Sequence, residues 1–117
     1  MKKYTGGCHC GAVRFEVEME EPTTAMTCNC SHCSIKGFML AFVPAKQFTL
    51  LQGEDMLTLY HFHKEVIDHK FCKICGVESF ANGKGPDGSE TVMVNLRCVD
   101  DLDISKLPVH EFDGKKI

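Results

Sequence analysis

A chain of 117 residues with 44% hydrophobic and 25% charged residues fits one folded globular domain over residues 1–117 and excludes a disordered chain. Its formal net charge of -3 at pH 7 disfavours a broad nucleic-acid-binding face. No segment approaches the roughly 18 apolar residues of a membrane span, and MKKYTGG at the start lacks the apolar core of a secretory signal, so the expected location is cytoplasmic.

The first clear element is GAVRFEVEM (11–19). Val13, Phe15, Val17 and Met19 alternate with Arg14, Glu16 and Glu18, the pattern of a half-buried strand. EEPTTA then breaks it, and FMLAFV (38–43) is a short apolar run that ends at Pro44, as a buried strand does. FTLLQGEDMLTLYHF (48–62) reads as two strands around a turn at Gln52–Asp55. ANGKGPDGSE (81–90) has loop composition, and TVMVNLRCV (91–99) is a further strand. DDLD and LPVHEFDGKK form the tail, expected to carry one short helical turn. Helical periodicity of any length is absent, so the expected class is mainly β: a small single domain of short antiparallel sheets.

Eight cysteines stand at 8, 10, 28, 30, 33, 72, 75 and 98. In a cytosolic chain such clustering indicates metal ligands or reactive thiols ahead of disulfides. FCKICGV (71–77) has the form of a zinc knuckle, in which a tight turn aims two thiolates and nearby N–H groups to one side, and Gly76 suits the positive φ of that turn. A knuckle supplies two ligands and needs a second pair. GCHCG (7–11) is a natural partner, since alternate residues of an extended segment point the same way. Four thiolates, Cys8, Cys10, Cys72 and Cys75, make a closed structural site.

CNCSHC (28–33) is then left with three thiols, Cys28, Cys30 and Cys33. Three protein ligands and an open position are the arrangement of a catalytic zinc. Spacing leaves two alternatives open. His32, Cys98, His61, His63 or His69 supplies a fourth ligand, or Cys8 and Cys10 pair with Cys28 and Cys30 instead. His9 and His32 lie between ligands and are assigned to solvent or to support of the ligands. His61 and His63 edge a pocket or sit exposed at a strand end. Cys98 reads as a buried core thiol. Arg14, Lys36 and Arg97 are the candidate holders of a substrate carboxylate.

The order Cys-x-Cys-Gly, Cys-x-Cys-x-x-Cys, Phe-Cys-x-x-Cys-Gly resembles the glutathione-dependent formaldehyde-activating enzymes, a family that includes centromere protein V. GGCHCGAVRFEV, CNCSHCSIKG, the Tyr60 strand, HKFCKICGVESF and the closing EFDG carry the resemblance across nearly the whole chain. FCKICGV followed by Ser79-Phe80 is similar to the centromere-protein-V-like branch. The resemblance implies a zinc-stapled, tent-like β fold with two zinc ions per chain. Cys8, Cys10, Cys72 and Cys75 match the structural-zinc motif, and Cys28, Cys30 and Cys33 match the catalytic-zinc motif. It departs at Ser34-Ile35-Lys36, where typical members carry an Arg just after the third cysteine, and Lys36 is the available substitute. The implied activity is a zinc-dependent carbon–sulfur lyase reaction on a small thiol adduct such as S-hydroxymethylglutathione, formed from glutathione and formaldehyde. The implied partner is a small thiol such as glutathione, with neither nucleic acid nor membrane expected. The competing expectation is a non-catalytic zinc scaffold that binds a macromolecular partner.

Overall fold

The computed structural model describes residues 1–29, 31–61, 67–85 and 87–112. Its strands in chain order are β1 (Lys2–Gly7), β2 (Arg14–Met19), β3 (Ala25–Cys28), β4 (Leu40–Pro44), β5 (Phe48–Gln52), β6 (Leu57–Tyr60), β7 (Asp68–Cys72), β8 (Phe80–Lys84), β9 (Glu90–Asn95) and β10 (Val109–Phe112). One short helix, α1 (Ser31–Lys36), follows β3. The chain is mainly β, as expected. Strands β1-β2-β5 form a three-stranded sheet, and β10-β3-β4-β9-β8-β7-β6 form a seven-stranded one. Neighbours run antiparallel except β10 and β3, which are parallel.

The alternation read in β2 is real: Phe15, Val17 and Met19 are buried while Glu18 is exposed. Those side chains share one core with Val43, Phe80, Val92, Val94 and Leu96 of the larger sheet and the segment after it. Phe48 of β5 sits between them, 5.2 Å from the Phe15 ring and 4.7 Å from the Phe80 ring, centroid to centroid. This aromatic stack joins the two sheets, and truncating the fully buried Phe15 to Ala costs about 3–5 kcal/mol.

The turn read at Gln52–Asp55 joins two strands that do not pair with each other: β5 pairs with β2, and β6 pairs with β7. Gly53 makes the transfer at φ 95, with its Cα so close to the backbone that an added Cβ would stand 2.3 Å from the Ala12 carbonyl oxygen. Any side chain there meets both a left-handed backbone and a backbone clash.

Three expectations are corrected. The loop read over 81–90 is mostly strand: Phe80–Lys84 is β8, paired on one side with β7 and on the other with β9. Burial of Phe80 and Ala81 with ladder bonds on both edges outweighs the weak strand propensity of Asn82 and Gly83. The tail is not helical where described but pairs as β10 with β3, Val109 opposite Ala25, and the Ala25 N–H donates to the Pro108 carbonyl at 2.9 Å. Finally, SHCSIK (31–36) is helical, too short for a 3.6-residue period to register in sequence.

Candidate functional site

The knuckle begins at the end of β7. The Gly76 N–H donates to the Cys72 carbonyl at 2.8 Å, and the Cys72 N–H donates to the Val77 carbonyl at 3.0 Å. Gly76 takes φ 78, and the Ile74 N–H points at the Cys72 sulfur at 3.4 Å. Cys8 and Cys10 arrive from β1, though in a turn and not in the extended segment read from sequence. The Gly11 N–H donates to the Cys8 carbonyl at 3.3 Å, and the Val13 N–H donates to the Cys8 sulfur, also at 3.3 Å.

The four Sγ atoms of Cys8, Cys10, Cys72 and Cys75 lie within 4.8 Å of one another. Cys8 and Cys10 are 3.7 Å apart and Cys10 and Cys72 are 3.6 Å apart. A tetrahedron with metal–sulfur bonds of about 2.3 Å has edges of about 3.8 Å, so this donor set fits a closed thiolate site for a soft divalent ion. The thiols already titrate unequally. Burial pushes Cys75 up, but N–H groups of Val77 and Cys10 and the thiols of Cys72 and Cys8 outweigh it and bring it down to about 6. Cys10 is drawn down by the Ala12 N–H, yet burial and the neighbouring thiols raise it to about 11. Crowded thiols share protons in this way, and a cation would displace them.

The second cysteine region is built from the end of β3 and from α1. Cys33, on the inner side of α1, is buried with Phe38 and Leu40, and Cys28 packs against the same cluster with Met26 and Met93. Cys30 falls outside the described residues.

Beside this region stands a polar network that the cysteine spacing did not announce. Glu78, three residues past the knuckle, is 3% exposed. Its carboxylate accepts from or pairs with His69 Nδ1 at 2.8 Å, Lys36 Nζ at 3.6 Å and His32 Nε2 at 3.9 Å. His69 is itself buried and lies with its ring centroid 3.9 Å from that of His32. Burial, then the neighbouring His69 and Lys36, hold the His32 imidazole below its ordinary pKa against the pull of Glu78. One ligand atom from each of His32, His69 and Glu78 also falls within 4.8 Å of the others. Sequence reading considered His69 and His32 as a fourth ligand, but missed Glu78. An acid between Val77 and Phe80 carries no sign in sequence that it will be buried.

The remaining candidates divide. Arg14 is not available to a substrate carboxylate: it pairs with Asp100, which also accepts from the Thr5 hydroxyl at 3.0 Å. Arg97 and His9 are exposed, and His61 pairs with Asp68. Cys98 is half-buried against the core, and burial raises its thiol to about 11. His63 lies outside the described residues.

The model of the family described as glutathione-dependent formaldehyde-activating enzyme matches residues 3–113. The chain belongs to that family. Its fold is also similar to the crystal structure of a Rhodobacter sphaeroides protein, with a TM-score of 0.78 at 29% sequence identity, covering 91% of this chain and 99% of that one. In this formaldehyde-activating-family chain the knuckle and its partner pair meet in space.

Proposed function

We propose that the chain is a zinc-dependent carbon–sulfur lyase that forms and cleaves a small thiol adduct of the S-hydroxymethylglutathione type. Cys8, Cys10, Cys72 and Cys75 would hold a structural zinc, and Cys28, Cys30 and Cys33 would hold a second zinc with an open position. The observation that carries this reading is the separation of the two thiol sets. Four sulfurs close on one another, which leaves Cys28 and Cys33 for a different task, and the helix that carries Cys33 also borders an open cleft lined by Ser31, His32, Ile35, Lys36, Tyr60 and Phe71. Family membership supports the reaction class.

In the forming direction, the S–H bond of the thiol breaks, a carbon–sulfur bond forms to the aldehyde carbon, and the proton lost from sulfur ends on the former carbonyl oxygen. No oxidant or reductant is needed. A zinc ion, when bound, lowers the pKa of a thiol and so makes thiolate available near neutral pH. The protein residues do the rest. Cys33 is anchored in an apolar cluster with Phe38 and Leu40, which fixes the helix that carries it. Glu78 ties His69 of β7 to Lys36 at the end of that helix. Lys36, with a third of its side chain exposed, presents a cation to the cleft.

Metal analysis and turnover test the proposal together. Wild-type protein is expected to hold two zinc ions per chain and to cleave S-hydroxymethyl thiols to thiol and formaldehyde. Cys30→Ser is expected to lose one zinc and all turnover while keeping a cooperative thermal transition. Two zinc ions with no turnover of any thiol adduct would replace the enzyme reading with a zinc scaffold that binds a macromolecular partner.

A further inference from the structure

The buried network around Glu78 brings together nitrogen and oxygen donors that neither thiol cluster uses as ligands. Two of its members are fixed by the large sheet. His69 lies within β7, opposite Tyr60 of β6 and Ala81 of β8. Glu78 follows the knuckle and is pinned through its own backbone. The Asn95 side-chain amide donates to the Glu78 carbonyl at 3.0 Å, and the Asn95 N–H donates to the Ser79 carbonyl at 2.9 Å. The third member, His32, comes from α1, with its ring centroid 3.9 Å from that of His69 and 5.5 Å from that of Tyr60. Donors held by packed elements need little rearrangement to receive a ligand.

One donor atom from each of His32, His69 and Glu78 lies within 4.8 Å of the other two. Metal bonds of about 2.0–2.2 Å to imidazole nitrogen and carboxylate oxygen set neighbouring donors about 2.8–3.6 Å apart. His69 Nδ1 stands 2.8 Å from Glu78 Oε2, and His32 Nε2 stands 3.9 Å from Glu78 Oε1. The first pair is at ligand spacing, and a small side-chain rotation brings the second to it. Two imidazoles and a carboxylate are a donor set that first-row divalent ions take, with further positions left for water or another ligand. The carboxylate also has a place for a cation. Its side chain is 1% exposed, and among the described residues nothing donates a hydrogen bond to Oε1. That oxygen has Lys36 Nζ at 3.6 Å and His32 Nε2 at 3.9 Å, too far to replace the water it lost on burial. Lys36 is the movable partner, since a third of its side chain is exposed and it lines the cleft beside α1.

We infer that His32, His69 and Glu78 form a separate metal site of nitrogen and oxygen donors, which takes a first-row divalent ion in exchange for the Lys36 ammonium. The ion becomes the counter-charge of Glu78, and Lys36, repelled by it, turns its charge to the cleft. Thiolates hold zinc more tightly than these donors with their competing ammonium. Dialysed protein therefore keeps its thiolate-bound ions, and this site fills only when a divalent ion is in excess. The inference does not depend on the lyase reading.

Cobalt(II) titrated into the zinc-loaded full chain tests it, followed by visible absorption, amide NMR and zinc analysis. One equivalent is expected to bind without a sulfur-to-cobalt charge-transfer band and without releasing zinc, and to broaden the amide signals of His32, His69 and Glu78. His69→Gln and Glu78→Gln are each expected to weaken this binding at least tenfold. Lys36→Met, at a partly exposed position that leaves folding intact, is expected to tighten it at least threefold, because the competing cation is gone. That sign separates a ligand site from a structural ion pair, whose loss would loosen the site. No cobalt bound beyond the zinc already held overturns the inference, as does a charge-transfer band that marks entry into a thiolate site. Weaker or unchanged binding in Lys36→Met overturns the exchange. Loss of a zinc ion from His69→Gln would make the imidazole a ligand of a thiolate-held ion, and that too overturns a separate site.

Discussion

The two cysteine regions of this chain use the same residue for opposite ends. In the four-thiol cluster, turns at Cys8–Gly11 and Cys72–Gly76 aim every sulfur inward, and backbone N–H groups of Val13 and Ile74 point at the sulfurs. Segments about sixty residues apart meet there, with Cys8 and Cys72 buried in the main core. Around α1, Cys28 and Cys33 come from one short stretch and rest on a small separate apolar cluster, while the same helix borders an open cleft and a buried His–Glu–Lys network. Long-range closure stabilises a small domain, because it ties distant parts of the chain and satisfies every ligand position. Local clustering does little for stability, but it leaves room for a ligand.

The sharpest way to break this contrast is Cys72→Ser. Structural zinc contributes about 10–16 kcal/mol of apparent binding free energy in small zinc domains, as much as the whole stability of an ordinary domain. The variant is expected to lose its cooperative transition by circular dichroism, and a folded Cys72→Ser protein would remove the structural role. Next in size is Glu78→Ala, which leaves His69 buried without its carboxylate and Lys36 without its counter-charge. A cost of about 2–4 kcal/mol in unfolding free energy by denaturant titration is expected, with the zinc proposed for the four-thiol cluster retained. Loss of that zinc would mean that the network and the knuckle are one unit. Cys98→Ala sharpens the same boundary. It is expected to cost about 1 kcal/mol and leave zinc content unchanged, since a thiol held at about 11 by burial is a core group; a drop in zinc content would make it a ligand.

The smallest effect concerns the pair that closes β2 onto the segment after β9. The Arg14 guanidinium, followed by the Thr5 hydroxyl, holds the Asp100 carboxyl below its ordinary pKa. Its contribution is therefore present above the usual carboxylate range and is lost as pH falls through the depressed value. Both side chains are about a third or more exposed, so Asp100→Asn is expected to cost less than about 1 kcal/mol at pH 7. It is also expected to flatten part of the acid limb of a stability–pH curve below about pH 4. An unchanged acid limb would show that the pair contributes nothing measurable.

Much of the molecule was legible before any coordinates. The alternation of Val13, Phe15, Val17 and Met19 identified β2 and its buried face, because a period of two leaves a mark within a few residues. Cys-x-x-Cys-Gly identified the knuckle and the need for Gly76, because a turn with two ligands admits few sequences. Other parts were not legible. Asn82 and Gly83 read as loop and became strand through burial of Phe80 and Ala81 and pairing on both edges. Arg14 read as a possible anion holder and is taken by Asp100, eighty-six residues away.

What the sequence determined by itself was local chemistry: which segments extend, where turns fall, and which cysteines stand close enough to share an ion. These follow from covalent spacing and side-chain periodicity, which act over a handful of residues. Only the tertiary structure decided the assignments between distant segments. It brought Cys8 and Cys10 to Cys72 and Cys75 rather than leaving their partner open, buried Glu78 against His69 and Lys36, and faced Ile35 with Tyr60 and Phe71 across a cleft. Such juxtapositions depend on how two sheets pack over a shared core, and no short stretch of chain contains that information.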